Sequence, residues 1–233
     1  MMRKRLWASI AVLSTSAGSA FAGGGNAPAP GPSQSPVVWT GCYAGLHAGA
    51  AAGNSNWSAR DSFWEVASAS MGLSGAIAGG QIGCNYQIQN FVLGAEGEVW
   101  GSGLTGDTAV ADFEGTTSRL KTHSDIGSDL SLRGGYAIDR LLVYGKLGVA
   151  WADYRFSDTN DFEGFTETGA DSEAGLLIGL GAEYAIDAHW SVEAEFDYVN
   201  FGRQNVAMNG DIPYAASIQN NQDIFKIGGN YRF

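Results

Sequence analysis

Long apolar runs are missing from this chain. Beyond its first 22 residues nothing approaches 18 consecutive apolar residues, which excludes a membrane-spanning helix. Positive charge is scarce, with 13 Lys+Arg against 24 Asp+Glu, and that argues against a nucleic-acid partner. Cysteine is limited to Cys42 and Cys84, too few for a disulfide scaffold and, with no further clustered ligands, too few for a structural zinc site. The three histidines (His47, His123, His189) are too dispersed to share one metal. Proline is rare and concentrated, with four of five residues (Pro28, Pro30, Pro32, Pro36) inside one short stretch. Charged residues make up only 16% of the chain, yet 45% hydrophobic and 12% aromatic content does not describe a disordered protein.

What is present begins with an export signal. Arg3, Lys4 and Arg5 precede an apolar stretch, Leu6 to Ala17, and Ala20-Phe21-Ala22 is an A-x-A cleavage motif. The expected cut lies between Ala22 and Gly23. It removes three basic residues and leaves 10 against 24, a net charge of −14. Residues 23–38 read as a Pro/Gly-rich periplasmic lead-in. Residues 39–233 are long enough for one domain.

Eight segments in that domain alternate with period two: 39–53, 75–88, 91–101, 125–138, 141–156, 173–186, 190–203 and 223–233. Each supplies the roughly ten residues that a tilted strand needs to cross a bilayer. The connections alternate between tight turns (89–90, 139–140, 187–189) and long polar stretches (54–74, 102–124, 157–172, 204–222), which are expected as extracellular loops.

The two faces of these segments differ in kind. One carries residues such as Ile82, Leu93, Leu132, Leu147, Ile178 and Phe196, without charge except near the ends. The other carries Glu96, Glu98, Asp129, Arg133, Lys146, Glu183, Glu193, Glu195, Asp197, Lys226 and Arg232, spaced by glycines. A charge facing lipid at mid-bilayer costs about 2–4 kcal/mol, so the charged face must be the interior. A soluble barrel would place its apolar face inside and scatter its charges outside. Aromatics near the short turns (Trp39, Tyr43, Tyr86, Phe91, Tyr136, Tyr184, Trp190, Tyr231, Phe233) are expected to form the periplasmic girdle. The fold expected is an all-β, eight-stranded antiparallel up-and-down transmembrane β-barrel.

Local motifs carry a resemblance. Trp39-Thr-Gly-Cys-Tyr-Ala-Gly45, Gly79-Gly-Gln-Ile-Gly-Cys-Asn-Tyr-Gln87, Gly94-Ala-Glu-Gly-Glu98 and Gly181-Ala-Glu-Tyr-Ala185 are similar to strands of the small outer-membrane barrels of alphaproteobacteria, the outer membrane immunogenic or "porin family" proteins, related in fold to the OmpA-like transmembrane domain. The segment Asp223–Phe233, with Tyr231 and Phe233 on one face, resembles the terminal strand that barrel-assembly machinery reads. The resemblance implies an outer-membrane location, with membrane lipid, lipopolysaccharide and that machinery as partners. Its glycine-based motifs specify fold well and activity poorly.

The inward charges admit two readings. An eight-stranded barrel is just wide enough for its side chains to fill, so paired charges would plug it. The acidic excess alternatively suits a narrow, cation-preferring passage. Paired carboxylates also invite glycosidase chemistry, but no cleft for a sugar is expected. Cys42 and Cys84, on one face of adjacent strands in an exported chain, are expected to form a disulfide. His47 is expected to point inward, while His123 and His189 fall in a loop and a turn; His123 and Ser124, as sequence neighbours, would point to opposite faces and do not make a hydrolase pair. The acidic stretch Ser157–Ser172 does not match a calcium loop. The long loops remain open to host or environmental ligands such as haem, although no His or Tyr in them makes an axial pair. No cofactor and no enzymatic activity are expected. The function expected is a structural envelope protein that contributes to envelope integrity and presents extracellular loops as a surface antigen, with a narrow cation-preferring pore for small solutes, or an adhesin or ligand-binding surface protein, as alternatives.

Overall fold

The computed structural model describes residues 37–60, 66–111, 117–160, 166–208 and 214–233. The expected signal sequence, its expected cleavage point between Ala22 and Gly23 and the expected lead-in up to residue 36 lie outside the described residues. Eight strands run in chain order: β1 (Gly41–Arg60), β2 (Val66–Ile88), β3 (Phe91–Ala111), β4 (Thr117–Ile138), β5 (Leu141–Asn160), β6 (Thr166–Ala185), β7 (Trp190–Met208) and β8 (Tyr214–Arg232). Each pairs antiparallel with its sequence neighbours, and β8 closes onto β1. The eight-stranded barrel read from the alternation is therefore the fold observed. In the turn-proximal half each strand pairs with both its neighbours, the closure by which a sheet in lipid satisfies its backbone.

The tight turns fall where expected. Gln89 and Asp139 open the β2–β3 and β4–β5 turns with left-handed backbone, at φ 56° and 52°. Aspartate tolerates this region better than glutamine. The β6–β7 turn is held by Asp187, whose Oδ1 accepts the backbone N–H groups of His189 and Trp190, both at 2.8 Å. These bonds, the one from Trp190 contributing most, hold the Asp187 carboxyl below the usual carboxylate range.

The opposite end corrects the sequence reading. Most of the four stretches expected as loops are strand, and the strands run 19–23 residues. The acidic stretch Ser157–Ser172 belongs largely to β5 and β6, and His123 lies within β4. At about 3.4 Å per residue and a tilt near 40°, a 20-residue strand rises about 50 Å, twice the height of a roughly 25 Å apolar band.

The reason is a reversal of faces. In the turn-proximal half, Leu46, Ile82, Leu93, Leu132, Leu147, Ile178 and Ile227 point outward and the charges point inward. In the distal half, Asn54, Asn56, Ser70, Thr105, Lys121, Arg155, Ser172 and Asn205 point outward. Trp57, Met71, Leu73, Leu104, Tyr154, Phe156, Phe201 and Ile218 point inward and pack as one buried cluster. Register irregularities on three strand pairs fall near the crossover: Gly101/Leu104, Ser124/Gly127 and Asn200/Gly202. The extra residue shifts which side chains face inward on β4, from Leu120, Thr122 and Ser124 above to Gly127, Asp129 and Ser131 below. Gly202, at φ +70°, takes the backbone conformation that such a shift demands on β7.

Candidate functional site

The charged residues singled out from the sequence meet inside the membrane half. Glu96, Glu98, Asp129, Arg133, Lys146, Glu183, Glu193, Glu195, Asp197, Lys226 and Arg232 are all buried. Alternation alone places them, since each inward position of β3 to β8 is two residues from the next.

They are organised around cations. The Lys146 ammonium lies 3.0 Å from Glu96 Oε1, 2.5 Å from Glu98 Oε1 and 2.9 Å from Glu195 Oε1. Lys226 lies 2.5 Å from Glu98, 2.7 Å from Glu195 and 2.7 Å from Asp197. Glu98 and Glu195 thus bridge both lysines. Arg133 donates to Glu96 at 3.0 Å and to Glu183 at 2.9 Å, and its guanidinium lies 3.8 Å from the centre of the Tyr144 ring. Arg232 donates to the Val38 carbonyl at 2.9 Å and sits 4.5 Å from the Trp39 ring centre. Its 3.9 Å separation from Glu183 is the longest of these charge pairs.

Uncharged residues complete the network, and sequence reasoning missed them. Tyr43 donates to Glu96 and accepts from Arg133 at 2.5 Å. Tyr144 donates to Glu195 at 2.8 Å. Asn230 donates to Glu193 at 3.0 Å, Ser191 to Glu183 at 2.6 Å, and Gln81 also donates to Glu193. Their inward parity was the available signal. Two glycines make the space: a Cβ on Gly83 would fall on the Tyr43 ring at 2.5 Å, and one on Gly181 would lie 2.5 Å from Tyr144 Cζ.

Tyr43 and Trp39 correct the expected girdle. Both are buried, because inward parity and the Arg133 and Arg232 cations draw them inside. The other seven aromatics are exposed on the outer face near the short turns. Trp190, Tyr231 and Phe233 form a run of edge-to-face contacts there, with ring centres 5.0 Å and 5.6 Å apart.

Apolar layers border the network on both sides. Trp39, Val92, Ala137, Leu142, Tyr144 and Ala185 cluster toward the short turns. The large distal cluster lies on the other side, with Trp57 packed edge-to-face on Phe156 at 5.4 Å and Tyr154 on Phe201 at 5.7 Å. Carboxylates outnumber cations within the set, seven to four. The Asp129 carboxylate, opposite Glu98 in the β3–β4 register, has no hydrogen-bond partner among the described residues. Three oxygens of Glu96, Glu98 and Glu195 come within 4.8 Å of one another, as metal ligands would. The Lys146 ammonium already contacts all three residues.

The other expectations separate. Cys42 and Cys84 are direct register partners on β1 and β2 and form a disulfide on the outer face. His47 is buried, bonded to Gln81 at 2.6 Å. His123 and Ser124 face opposite sides of β4, and His189 lies in the β6–β7 turn, so no two histidines converge.

Known proteins agree with this architecture. A family model described as outer membrane protein beta-barrel domain matches residues 8–233. The chain is 32% identical over 214 residues to the 31 kDa outer-membrane immunogenic protein of Brucella melitensis biotype 1, covering 87% of this chain and 88% of that protein. The same figures hold for its counterpart from Brucella suis biovar 1. Among solved structures, the outer membrane protease OmpT from Escherichia coli shares the fold, with a TM-score of 0.54 at 12% identity over 83% of this chain and 97% of that one. An apolar outer belt, a charged interior and these matches lead to one conclusion: the chain belongs to the outer-membrane protein β-barrel family and resides in the outer membrane.

Proposed function

We propose that this protein is a structural, non-enzymatic component of the outer membrane whose closed interior stiffens the barrel and whose distal half stands above the membrane as a surface antigen. The observation that carries this reading is the ion-pair network lying between two apolar layers. Lysines shared among three carboxylates hold β3, β5, β7 and β8 to one another across the bore. A group tied to several partners is costly to displace, because each departure leaves buried charge unpaired. The antigen role takes its support from the Brucella relatives named as immunogenic. Lipid and lipopolysaccharide are the partners the apolar outer belt fits. The exposed ladder of Trp190, Tyr231 and Phe233 is the surface we assign to barrel-assembly machinery.

One observation favours a second reading, a narrow cation-preferring passage: the described buried side chains include eight carboxylates, Glu173 among them, against four Lys and Arg cations. Planar-bilayer conductance of the refolded protein separates the two. Silence from the wild type, with leakage from Glu96→Ala or Arg133→Ala, supports the plug. Steady cation-selective steps from the wild type, weakened by Glu96→Ala, would replace it with the pore.

A further inference from the structure

In the distal half the seam between β6 and β7 is open. The register of these two strands stops at Leu176↔Asn200. On their other sides β6 stays paired with β5 up to Thr159↔Thr166, and β7 with β8 up to Met208↔Tyr214. Among the described residues, the backbone of 168–175 therefore has a strand partner on one side only, and so has that of 201–205. A Cβ on Gly202, in β7, would meet nothing within 4 Å. The β2–β3 register also ends early, at Ser74↔Thr105, but those strands stay in touch: a Cβ on Gly106 would lie 2.5 Å from the Gly72 carbonyl oxygen. An unpaired edge presents a row of N–H and C=O groups. In lipid such a row could not be satisfied, and in water it is a template for another strand.

The chemistry of the seam selects that strand. Residues 168–175 hold two carboxylates, Asp171 and Glu173, among Thr, Ser, Gly and Ala. Lysine and proline, which commonly blunt a sheet edge, are absent from this stretch. Glu173 points inward and is buried, yet its hydrogen bonds come from a neutral group: Asn220 Nδ2 donates to both of its oxygens at 2.9 Å. The charge that acts on it is Asp171, of like sign. Asn220 is itself fully buried, and its Oδ1 has no hydrogen-bond partner among the described residues. A carboxylate without a cation and an acceptor without a donor thus lie together where the wall opens. Phe201 borders them, since a Cβ on Gly175, two residues along β6 from Glu173, would lie 2.9 Å from Phe201 Cδ1. The Phe201 ring meets Tyr154 edge to face at 5.7 Å. An ammonium or guanidinium entering there would meet a carboxylate, an amide oxygen and aromatic rings. A strand that brought no cation would cover Glu173 and leave it unpaired, which is costly. The free edge of β7 suits a basic strand less well, because it carries Arg203.

We propose that the free edge of β6 takes up an extended basic segment of another protein, which adds as a strand and sets a lysine or arginine side chain against Glu173 and Asn220. The proposal rests on the distal half standing in water and not on whether the interior conducts. A silent or a conducting barrel would bind the strand equally.

The test uses the whole protein folded in detergent micelles, with barrel formation checked by circular dichroism. A fluorescently labelled peptide of alternating lysine and valine, as long as residues 168–175, is titrated against the wild type, Glu173→Gln and Asp107→Asn, an exposed carboxylate on β3. Glu173→Gln is expected to weaken binding about tenfold, while Asp107→Asn binds as the wild type does. Two N-methylated forms of the peptide separate strand addition from charge attraction. Alternate amides of an added strand face its neighbour, so methylating one alternate set is expected to abolish binding and methylating the other to preserve it. Hydrogen exchange is expected to slow in residues 168–175 when the peptide binds. These two readouts use the wild type and stand even if Glu173→Gln fails to fold. Equal binding by Glu173→Gln and the wild type would overturn the proposal, as would equal binding of the two methylated forms or a slowing of exchange confined to other strands. Competition by lysine amide at the affinity of the peptide would make this a small-amine site and overturn it. Loss of peptide binding as the protein is concentrated and self-associates would assign the edge to a second copy of this chain, and overturn it as well.

Discussion

The two halves of this barrel are built from the same strands and obey opposite rules. Near the short turns, Leu132, Leu147 and Ile178 face out and Glu96, Arg133 and Lys146 face in. Beyond the bulges, Asn56, Thr105 and Arg155 face out and Leu104, Phe156 and Ile218 face in. Period-two alternation is common to both, so the backbone does not decide the difference. The solvent does. A face against hydrocarbon excludes charge, and a face against water excludes contiguous apolar surface. The interior takes what is left. In the lower half that is an ion-pair network, whose members were removed from water at a cost that only mutual pairing offsets. In the upper half it is an ordinary apolar core, each large buried side chain contributing about 1.5–3 kcal/mol. One half is held together by groups that must not lose a partner. The other is held by groups that need only remain packed.

This comparison can be broken most sharply at Lys146. Lys146→Met keeps the length of the side chain and removes the charge that Glu96, Glu98 and Glu195 share. About 3–5 kcal/mol of stability should be lost, read as a lower urea midpoint by tryptophan fluorescence in detergent or lipid. A loss below about 1 kcal/mol would mean that the network is slack. In the upper half, Leu104→Ala opens a cavity in a fully buried site and should cost about 2–5 kcal/mol. Its signature should differ: hydrogen exchange should accelerate in the distal strands and stay slow near the short turns. Uniform acceleration would show that the halves unfold as one unit. The outer faces give a cleaner contrast with a single substitution. Leu132→Arg places a charge against lipid and should cost about 2–4 kcal/mol, whereas Asn56→Arg on the water-facing half should stay within about 0.5 kcal/mol. Equal costs would erase the boundary drawn here.

The same reversal explains what could and could not be read in the sequence. The lower half was legible because its two faces are chemically extreme: Glu183, Glu193, Glu195 and Asp197 alternate with Tyr184, Val192, Ala194 and Phe196 along β6 and β7. Strand number, the tight turns, the buried charges and the Cys42–Cys84 pair all follow from that parity. The upper half was taken for loops because its apolar residues sit singly among Asn, Ser, Thr and Gly, as Trp57, Met71 and Leu73 do. The bulge between Ser124 and Gly127 also breaks the alternation where β4 crosses between environments. Tyr43, Tyr144, Gln81 and Asn230 were missed because they carry no charge, although they saturate groups that do. Trp39 and Tyr43 were assigned to the girdle by residue type, when their parity pointed inward.

The smallest expected effect lies at the end of the lower half, in the β6–β7 turn. Asp187 is fully exposed, and what chiefly distinguishes it from an aspartate in the unfolded chain is its bonds to the N–H groups of Trp190 and His189, with smaller help from the nearby charges of His189 and Arg140. Its folded pKa is depressed below the ordinary value. The turn's contribution is therefore present above the unfolded pKa of about 3.9 and is lost as pH falls through the folded value. Asp187→Asn keeps an acceptor and removes the titration. The wild type and this variant should converge in urea midpoint in strongly acidic solution and differ slightly, in favour of the wild type, at neutral pH. A difference that persists unchanged into strong acid would mean that the side chain acts through geometry and not through charge. Exposure makes the effect small by the same logic that makes Lys146 large, because water replaces a lost partner at Asp187 and nothing replaces one inside the barrel.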